Sequence, residues 1–242
     1  MTEIQFKSDI DVELIQNMGG DASILGAMLV STKGGESLEQ LYLDTEADGG
    51  AAGRINFLMG NKHGTPFEHA SMTFFVRAPI FVFREWHRHR IGVSINEESG
   101  RYSQLKPVFY VPAPERKLMQ VGKPGHYEYV EGTEELYQQL RADMEEEAFV
   151  NYARYQQRLD WGVAKEVARM GLGLNIYSSM WWTCNPRSLM SFLSLRTNHP
   201  EATFPSKPQR EIEMGAEKME AEFAKLFPLT YAAYENNGRV AP

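Results

Sequence analysis

The sequence predicts one soluble domain that mixes helices with strands, and three observations predict it. Of its 242 residues, 43% are hydrophobic and 24% charged, enough for a core of domain size inside a charged exterior. Period-two alternation marks extended chain at residues 4–16, through Ile4, Phe6, Ile10, Val12 and Leu14, and again from Ser71 to Val76. Helical spacing runs from Thr133 to Trp161 through Leu136, Leu140, Met144, Ala148, Tyr152, Tyr155 and Leu159. No internal repeat, low-complexity tract or linker interrupts the chain, so residues 1–242 are expected to form a single domain, with a loose tail after Asn236.

Charge and cysteine content narrow the function. A formal net charge of -7 argues against general electrostatic affinity for nucleic acid or anionic membrane. No window reaches the ~18 uninterrupted apolar residues of a spanning helix, and the opening MTEIQFKSDIDVELI lacks the apolar run of a signal peptide. A cytoplasmic protein, neither exported nor embedded, is expected. The single cysteine, Cys184, excludes an intramolecular disulfide and a cysteine-rich zinc site. It lies in MWWTCNPRS, among bulky apolar residues that raise a thiol pKa, so packing is expected of it rather than nucleophilic catalysis.

The elements follow in order. Residues 4–16 suit an edge strand or two short extended pieces. Asp21 is placed to N-cap a helix over ASILGAMLVS that ends at Ser31, and further helical pieces are expected at SLEQLYLDTE and RINFLMGNKHG. Pro79 can open a helix with Ile80, Phe81, Phe83 and Trp86 on its buried side and Arg88, His89 and Arg90 in its last turn. Residues Ile91–Arg101 are expected as a loop, KPVFYVPAPE as a strand, AKEVARMGL as a short helix ending near Arg169, and GLNIYSSMWWTCN as extended chain. Asn185-Pro186 opens the next helix, the proline-rich Thr197–Pro208 is a loop, and an amphipathic helix carries Ile212, Met219, Phe223 and Leu226.

The chemistry concentrates between Ala78 and Tyr102. Arg84, Arg88, Arg90 and Arg101 gather there with His87 and His89, a cationic site set against the global charge, which calls for an anionic ligand. The adjoining Ser94, Asn96, Glu97, Ser99 and Gly100 suit phosphate and sugar oxygens, with neither a P-loop nor a Rossmann turn present. A solvated helix end is the plainer alternative for the cations. For His63-Gly64-Thr65-Pro66-Phe67-Glu68-His69, taken alone, a capped connector with a solvated Glu68 is the simpler reading. Arg196 shares a helix face with Leu189, Phe192 and Leu193, and an arginine so placed requires a partner.

Arg88-His89-Arg90 followed by Ser94, Asn96, Glu97, Ser99, Arg101 and Tyr102 resembles the RHRxxSxNExSxRY signature of the flavin-dependent thymidylate synthases. HGTPFEH and VRAPIFV before it, and GVAKEVAR, LNIYSSMWWT and NPRSLMSFLSLR after it, extend the resemblance from about Ser31 to Arg196. The resemblance implies an α+β fold, a mainly antiparallel sheet flanked by helices, assembled as a homotetramer with active sites between subunits. It implies reductive methylation of dUMP to dTMP, with methylenetetrahydrofolate as carbon donor and NADPH reducing bound FAD. Ser31, His63, Thr65, Glu68, Arg88, His89, Arg90, Asn96, Asn185 and Arg187 correspond to FAD-binding positions. Glu85, Glu97, Glu98, Ser99, Gly100, Arg101, Arg169 and Arg196 correspond to the dUMP side, with Arg196 and His63 as catalytic positions. No thiol nucleophile, metal, membrane or nucleic-acid partner is implied. A folate- and flavin-dependent RNA uridine methyltransferase and a non-catalytic nucleotide- or nucleic-acid-binding protein are the alternatives.

The chain departs from the pattern in four places. Ile91, Gly92 and Val93 stand where the pattern has two residues, and the extra one is expected as a bulge at Gly92. Glu85 stands for a frequent Gln and Ser191 for a frequent Asn, while His199 lies in a stretch that does not align.

Overall fold

The computed structural model describes residues 3–34, 37, 40, 50–124 and 126–242. Among them the order is β1 (Gln5–Lys7), β2 (Asp11–Met18), α1 (Asp21–Lys33), α2 (Ala51–Gly60), a 3-10 turn (Thr65–Glu68), β3 (Ser71–Pro79), α3 (Ile80–Trp86), β4 (Val93–Glu97), β5 (Val108–Tyr110), β6 (Met119–Lys123), β7 (His126–Val130), α4 (Glu134–Asp160), α5 (Lys165–Ala168), a second 3-10 turn (Arg169–Gly171), β8 (Tyr177–Cys184), α6 (Pro186–Arg196), α7 (Arg210–Leu226) and α8 (Pro228–Asn236). The fold is α+β. The main sheet has the order β2-β3-β8-β4; β2–β3, β4–β8 and β6–β7 pair antiparallel, and only the short β1–β5 pair is parallel among the described pairings.

The chain divides into two compact units, each assembled from separated segments. One comprises Met1–Asp9, Ala78–Phe83 and Glu98–Ser178; the other comprises Ile10–Arg77, Arg84–Glu97 and Ser179–Pro242. Such interleaving leaves no linker for composition to reveal.

The first unit is built on α4. Thr133 caps it by accepting a hydrogen bond from the Leu136 amide at 3.2 Å. Its buried stripe is Tyr137, Ala148, Tyr152 and Tyr155, whereas Leu136 is exposed. Tyr152 and Tyr155 pack with Leu105, Phe109, Ala168 and Ile176, and their hydroxyls also bond the Leu105 backbone, Tyr152 donating to its carbonyl at 3.1 Å and Tyr155 accepting from its amide at 3.3 Å. The hairpin β6–β7, exposed throughout, was not legible in the sequence.

The second unit packs α6 and α7 beneath the sheet. Trp86, Trp182 and Phe192 are fully buried, with ring centroids 5.0–6.3 Å apart. Gly215 makes room for Trp86, because a Cβ there would lie 2.8 Å from the indole ring.

Several expectations are corrected. α3 ends at Trp86, so Arg88, His89 and Arg90 are not in a helical turn; the amides of Arg88 and His89 bond back three residues, to Glu85 and Trp86, as the chain unwinds. The stretch expected as a loop over Ile91–Arg101 contains β4, because Val93 to Glu97 pair with Cys184 to Met180 at the sheet edge. Asp21 is the first residue of α1, not its cap, and α1 continues to Lys33. Its carboxylate instead caps α8, accepting from the Leu229 amide at 2.8 Å and from the Thr230 amide and hydroxyl at 2.9 and 2.6 Å. The tail after Asn236 is anchored: Thr203 donates to the Gly238 carbonyl at 2.9 Å, and Arg239 is 3% exposed. The helical piece expected at 37–46 lies outside the described residues apart from Ser37 and Gln40.

Candidate functional site

Each unit carries part of the predicted constellation. In the second unit, the turn after α3 is shaped by Gly92, whose φ of +65° belongs to the left-handed region open to glycine. A Cβ there would meet Ser188 Oγ at 2.3 Å and Asn185 Nδ2 at 2.9 Å, while Ser188 Oγ donates to the Ile91 carbonyl at 2.8 Å. The extra residue is therefore taken up in a turn at Ile91-Gly92, just before β4. Asn185 N-caps α6, accepting from the Ser188 amide at 2.8 Å, and Pro186 follows at a position that needs no N–H.

That cap sets Arg187 at the start of α6. Its Nη1 donates to Glu68 Oε1 at 2.6 Å, joining residues 119 apart in sequence. Gly64 lies against the same guanidinium, where a Cβ would stand 2.4 Å from Cζ. His63, Thr65 and Glu68 are exposed along this turn. Glu68, still exposed on this turn, thus has an ion-pair partner.

At the other end of α6, Arg196 finds the partners its position demands. Nη1 donates to Glu85 Oε2 at 2.6 Å, Nη2 to the Glu85 carbonyl at 3.4 Å, and Nε to His89 Nε2 at 3.0 Å. The His89 ring accepts that bond, so it is neutral there. Burial, and then the Arg196 charge, push its pKa down to about 4. Below pH 6.5 the unfolded chain takes up a proton that the folded one refuses until about pH 4, so stability falls as pH drops through that window and is unaffected above it. An NMR titration of His89 is expected to show its midpoint near 4; a midpoint near 6.5 would mean the Arg196 contact does not persist in solution.

Other predicted residues of this unit are dispersed along it. Arg88, Arg90 and Asn96 are exposed. Ser31 donates its hydroxyl to the Met28 carbonyl at 2.8 Å within α1, and Glu97 stands 3.6 Å from His87.

In the first unit, Glu98, Ser99, Gly100 and Arg101 form a tight turn, with Tyr102 and Ser103 amides donating to the Ser99 carbonyl at 3.0 and 3.1 Å. Arg169 packs on this turn, its Cδ 3.0 Å from where a Gly100 Cβ would be. Two unpredicted residues brace it. Arg101 Nε donates to Glu166 Oε2 at 2.7 Å, and Lys165 Nζ donates to the Tyr102 carbonyl at 2.8 Å. The signal was present, since Lys165 and Glu166 stand four and three residues before Arg169 in the same motif.

The comparisons bear on this geometry. Residues 13–229 match the family model described as thymidylate synthase complementing protein. A flavin-dependent thymidylate synthase of Streptomyces coelicolor is 57% identical over 240 residues, covering 99% of this chain and 96% of that protein. The chain belongs to the flavin-dependent thymidylate synthase family. A family member from Thermotoga neapolitana is 38% identical over 223 residues, covering 92% of this chain and 89% of its own. A crystal structure of the UMP/dUMP methylase PolB from Streptomyces cacaoi, bound with 5-Br UMP, superposes with a TM-score of 0.89 at 46% identity, covering 99% of this chain and 100% of that one; the same figures hold for its 5-Br dUMP complex.

Membership of the flavin-dependent synthases accords with the state of Cys184. The residue is 2% exposed, and burial pushes its thiol well above the ordinary range. Such a surrounding disfavours the thiolate form that nucleophilic catalysis needs. Cys184→Ala is expected to keep most of the activity, since a buried thiol held protonated is a poor nucleophile; loss of turnover with the fold intact would assign the sulfur a catalytic role. No helix among the described residues is long and apolar enough to cross a membrane.

Proposed function

We propose that the protein catalyses the reductive methylation of dUMP to dTMP, taking the carbon from methylenetetrahydrofolate, with NADPH reducing a bound FAD. The observation that carries this reading is Arg196, a cation fixed on an apolar helix face by Glu85 and a neutral His89. Such a group can stabilise negative charge that develops on a pyrimidine ring without first having to reorganise.

The donor set of the second unit fits a flavin dinucleotide. Arg88, Arg90 and Arg187 supply positive charge for a pyrophosphate, and Ser31, His63, Thr65, His89, Asn96 and Asn185 supply polar groups, with Glu68 holding Arg187. FAD, when bound, supplies the hydride. On the nucleotide side, Arg101 and Arg169 neutralise the phosphate dianion, Ser99 and the Gly100 backbone add donors, and Glu97 and Glu98 accept from sugar hydroxyls. Glu85 acts by holding Arg196, and His63 is placed at the flavin. The whole chain works as one domain of this family, as a cytoplasmic homotetramer with active sites at subunit interfaces.

The methylase from Streptomyces cacaoi is named for UMP as well as dUMP, which favours a second reading in which this chain accepts both nucleotides. Expression in a bacterial strain lacking thymidylate synthase is expected to restore growth without thymidine. Competition between dUMP and UMP in the purified reaction then separates the two readings: methylation of UMP at a comparable rate supports the broader one.

A further inference from the structure

We infer that Arg239 is a positioning residue for Arg187, acting through the segment Asn237–Pro242, which runs along α6 as a strap. The inference rests on the reading of Arg187 as a flavin ligand.

Arg239 is an unusual residue energetically. It is a charged side chain only 3% exposed, and its φ of +59° follows a glycine at +68°. Consecutive left-handed residues turn the chain sharply back after α8, a conformation a non-glycine residue holds only where its surroundings enforce it. The surroundings are explicit. Arg239 Nη1 contacts Glu220 Oε1 at 2.7 Å and the Glu235 carboxylate, and Nη2 donates to Thr197 Oγ1 at 2.8 Å. Tyr231 donates to the same Glu220 oxygen at 2.9 Å. The guanidinium thereby ties α7, α8 and the residue that ends α6.

From that anchor the strap reaches the opposite end of α6. Ser194 Oγ shares its one proton between the Arg239 carbonyl at 2.7 Å and the Met190 carbonyl at 2.8 Å, and the Pro242 carbonyl accepts from Arg187 Nε at 2.7 Å. Lys62 Nζ lies 3.4 Å from the Val240 carbonyl between them. The lengths agree: three residues of extended chain reach about 10 Å, and the seven-residue rise from Arg187 to Ser194 is about 10.5 Å. The Arg187 guanidinium is therefore oriented by two acceptors, Glu68 on Nη1 and Pro242 on Nε. Glu68 alone leaves it free to rotate about that one bond; the strap removes this freedom while the side chain stays 42% exposed.

The test is a double-mutant cycle read as FAD affinity, from the fluorescence of released flavin. Arg239→Met is expected to weaken FAD binding about ten-fold in the parent background and to add nothing in the Arg187→Ala background, because coupled residues do not add. Arg239→Lys, which keeps the charge but not the fork, should fall between. Equal weakening in both backgrounds, or unaltered FAD affinity beside a lowered Tm, would show a general structural role and overturn the inference. Should Arg239→Met fail to fold, Ser194→Ala takes its place in the cycle. A parent protein that binds no flavin would sink the functional reading instead; the strap is then judged by hydrogen exchange, expected to quicken at residues 185–190 in the Arg239 variants, and unchanged exchange there would refute it.

Discussion

Arg196→Ala is expected to lower kcat for dTMP formation about 10²–10³-fold, the usual cost of deleting one preorganised charge donor at a reacting centre. The expectation comes from how the residue is held. Three of its donors are already committed, to the Glu85 carboxylate, the Glu85 carbonyl and His89, so it enters the reaction with its orientation fixed. FAD content should fall far less than kcat, because Arg187 and the turn at His63 to Glu68 are untouched and, of the groups assigned to the flavin, His89 is the one that Arg196 contacts. Arg196→Lys is expected to recover only part of the rate, since an ammonium cannot satisfy Glu85 and His89 together. A kcat within about three-fold of the parent would remove Arg196 from the account, as that is under 1 kcal/mol of transition-state stabilisation.

The second large effect concerns the phosphate. Arg101→Ala is expected to raise the KM for dUMP about 10–100-fold, the loss of one charge-assisted hydrogen bond, while FAD affinity is unchanged. Glu166 supplies a control of opposite sign. Its carboxylate lies 2.7 Å from Arg101 Nε, with both side chains about half exposed. An exposed pair of this kind is weak and exchangeable, and on the proposed assignment a phosphate dianion would displace it. Glu166→Gln removes the competing charge, so dUMP should bind a few-fold more tightly. Loss of FAD from Arg101→Ala with dUMP binding intact would show that the two ligands have been assigned to the wrong groups.

What the sequence revealed and what it hid follow a physical pattern. Arg196 could be singled out because a guanidinium on an apolar helix face is costly wherever it lies, yet nothing local names Glu85, 111 residues away. Local rules worked for the helix opened by Asn185-Pro186, whose cap is made within three residues, and for the start of the helical spacing at Thr133. They failed at Asp21, which has the chemistry of a cap but caps a helix 208 residues later in the chain. The RHR segment misled in a different way. Four-residue spacing from Arg84 and Glu85 fits a helix, but pairing of β4 with β8 draws the backbone out of it, and Gly92 supplies the turn. The tail was illegible because its composition is ordinary; its order comes from Arg239 finding Glu220, Glu235 and Thr197 on three other elements.

Synthesis of dTMP without a thiol nucleophile is tested most directly by one measurement. Cys184→Ala protein, loaded with FAD and reduced by NADPH, is mixed with dUMP and methylenetetrahydrofolate, and the nucleotide product is quantified against the flavin reoxidised. The account predicts dTMP in proportion to flavin, abolished by Arg196→Ala. Flavin reoxidised with no dTMP formed, or dTMP formed only when Cys184 is restored, would contradict it.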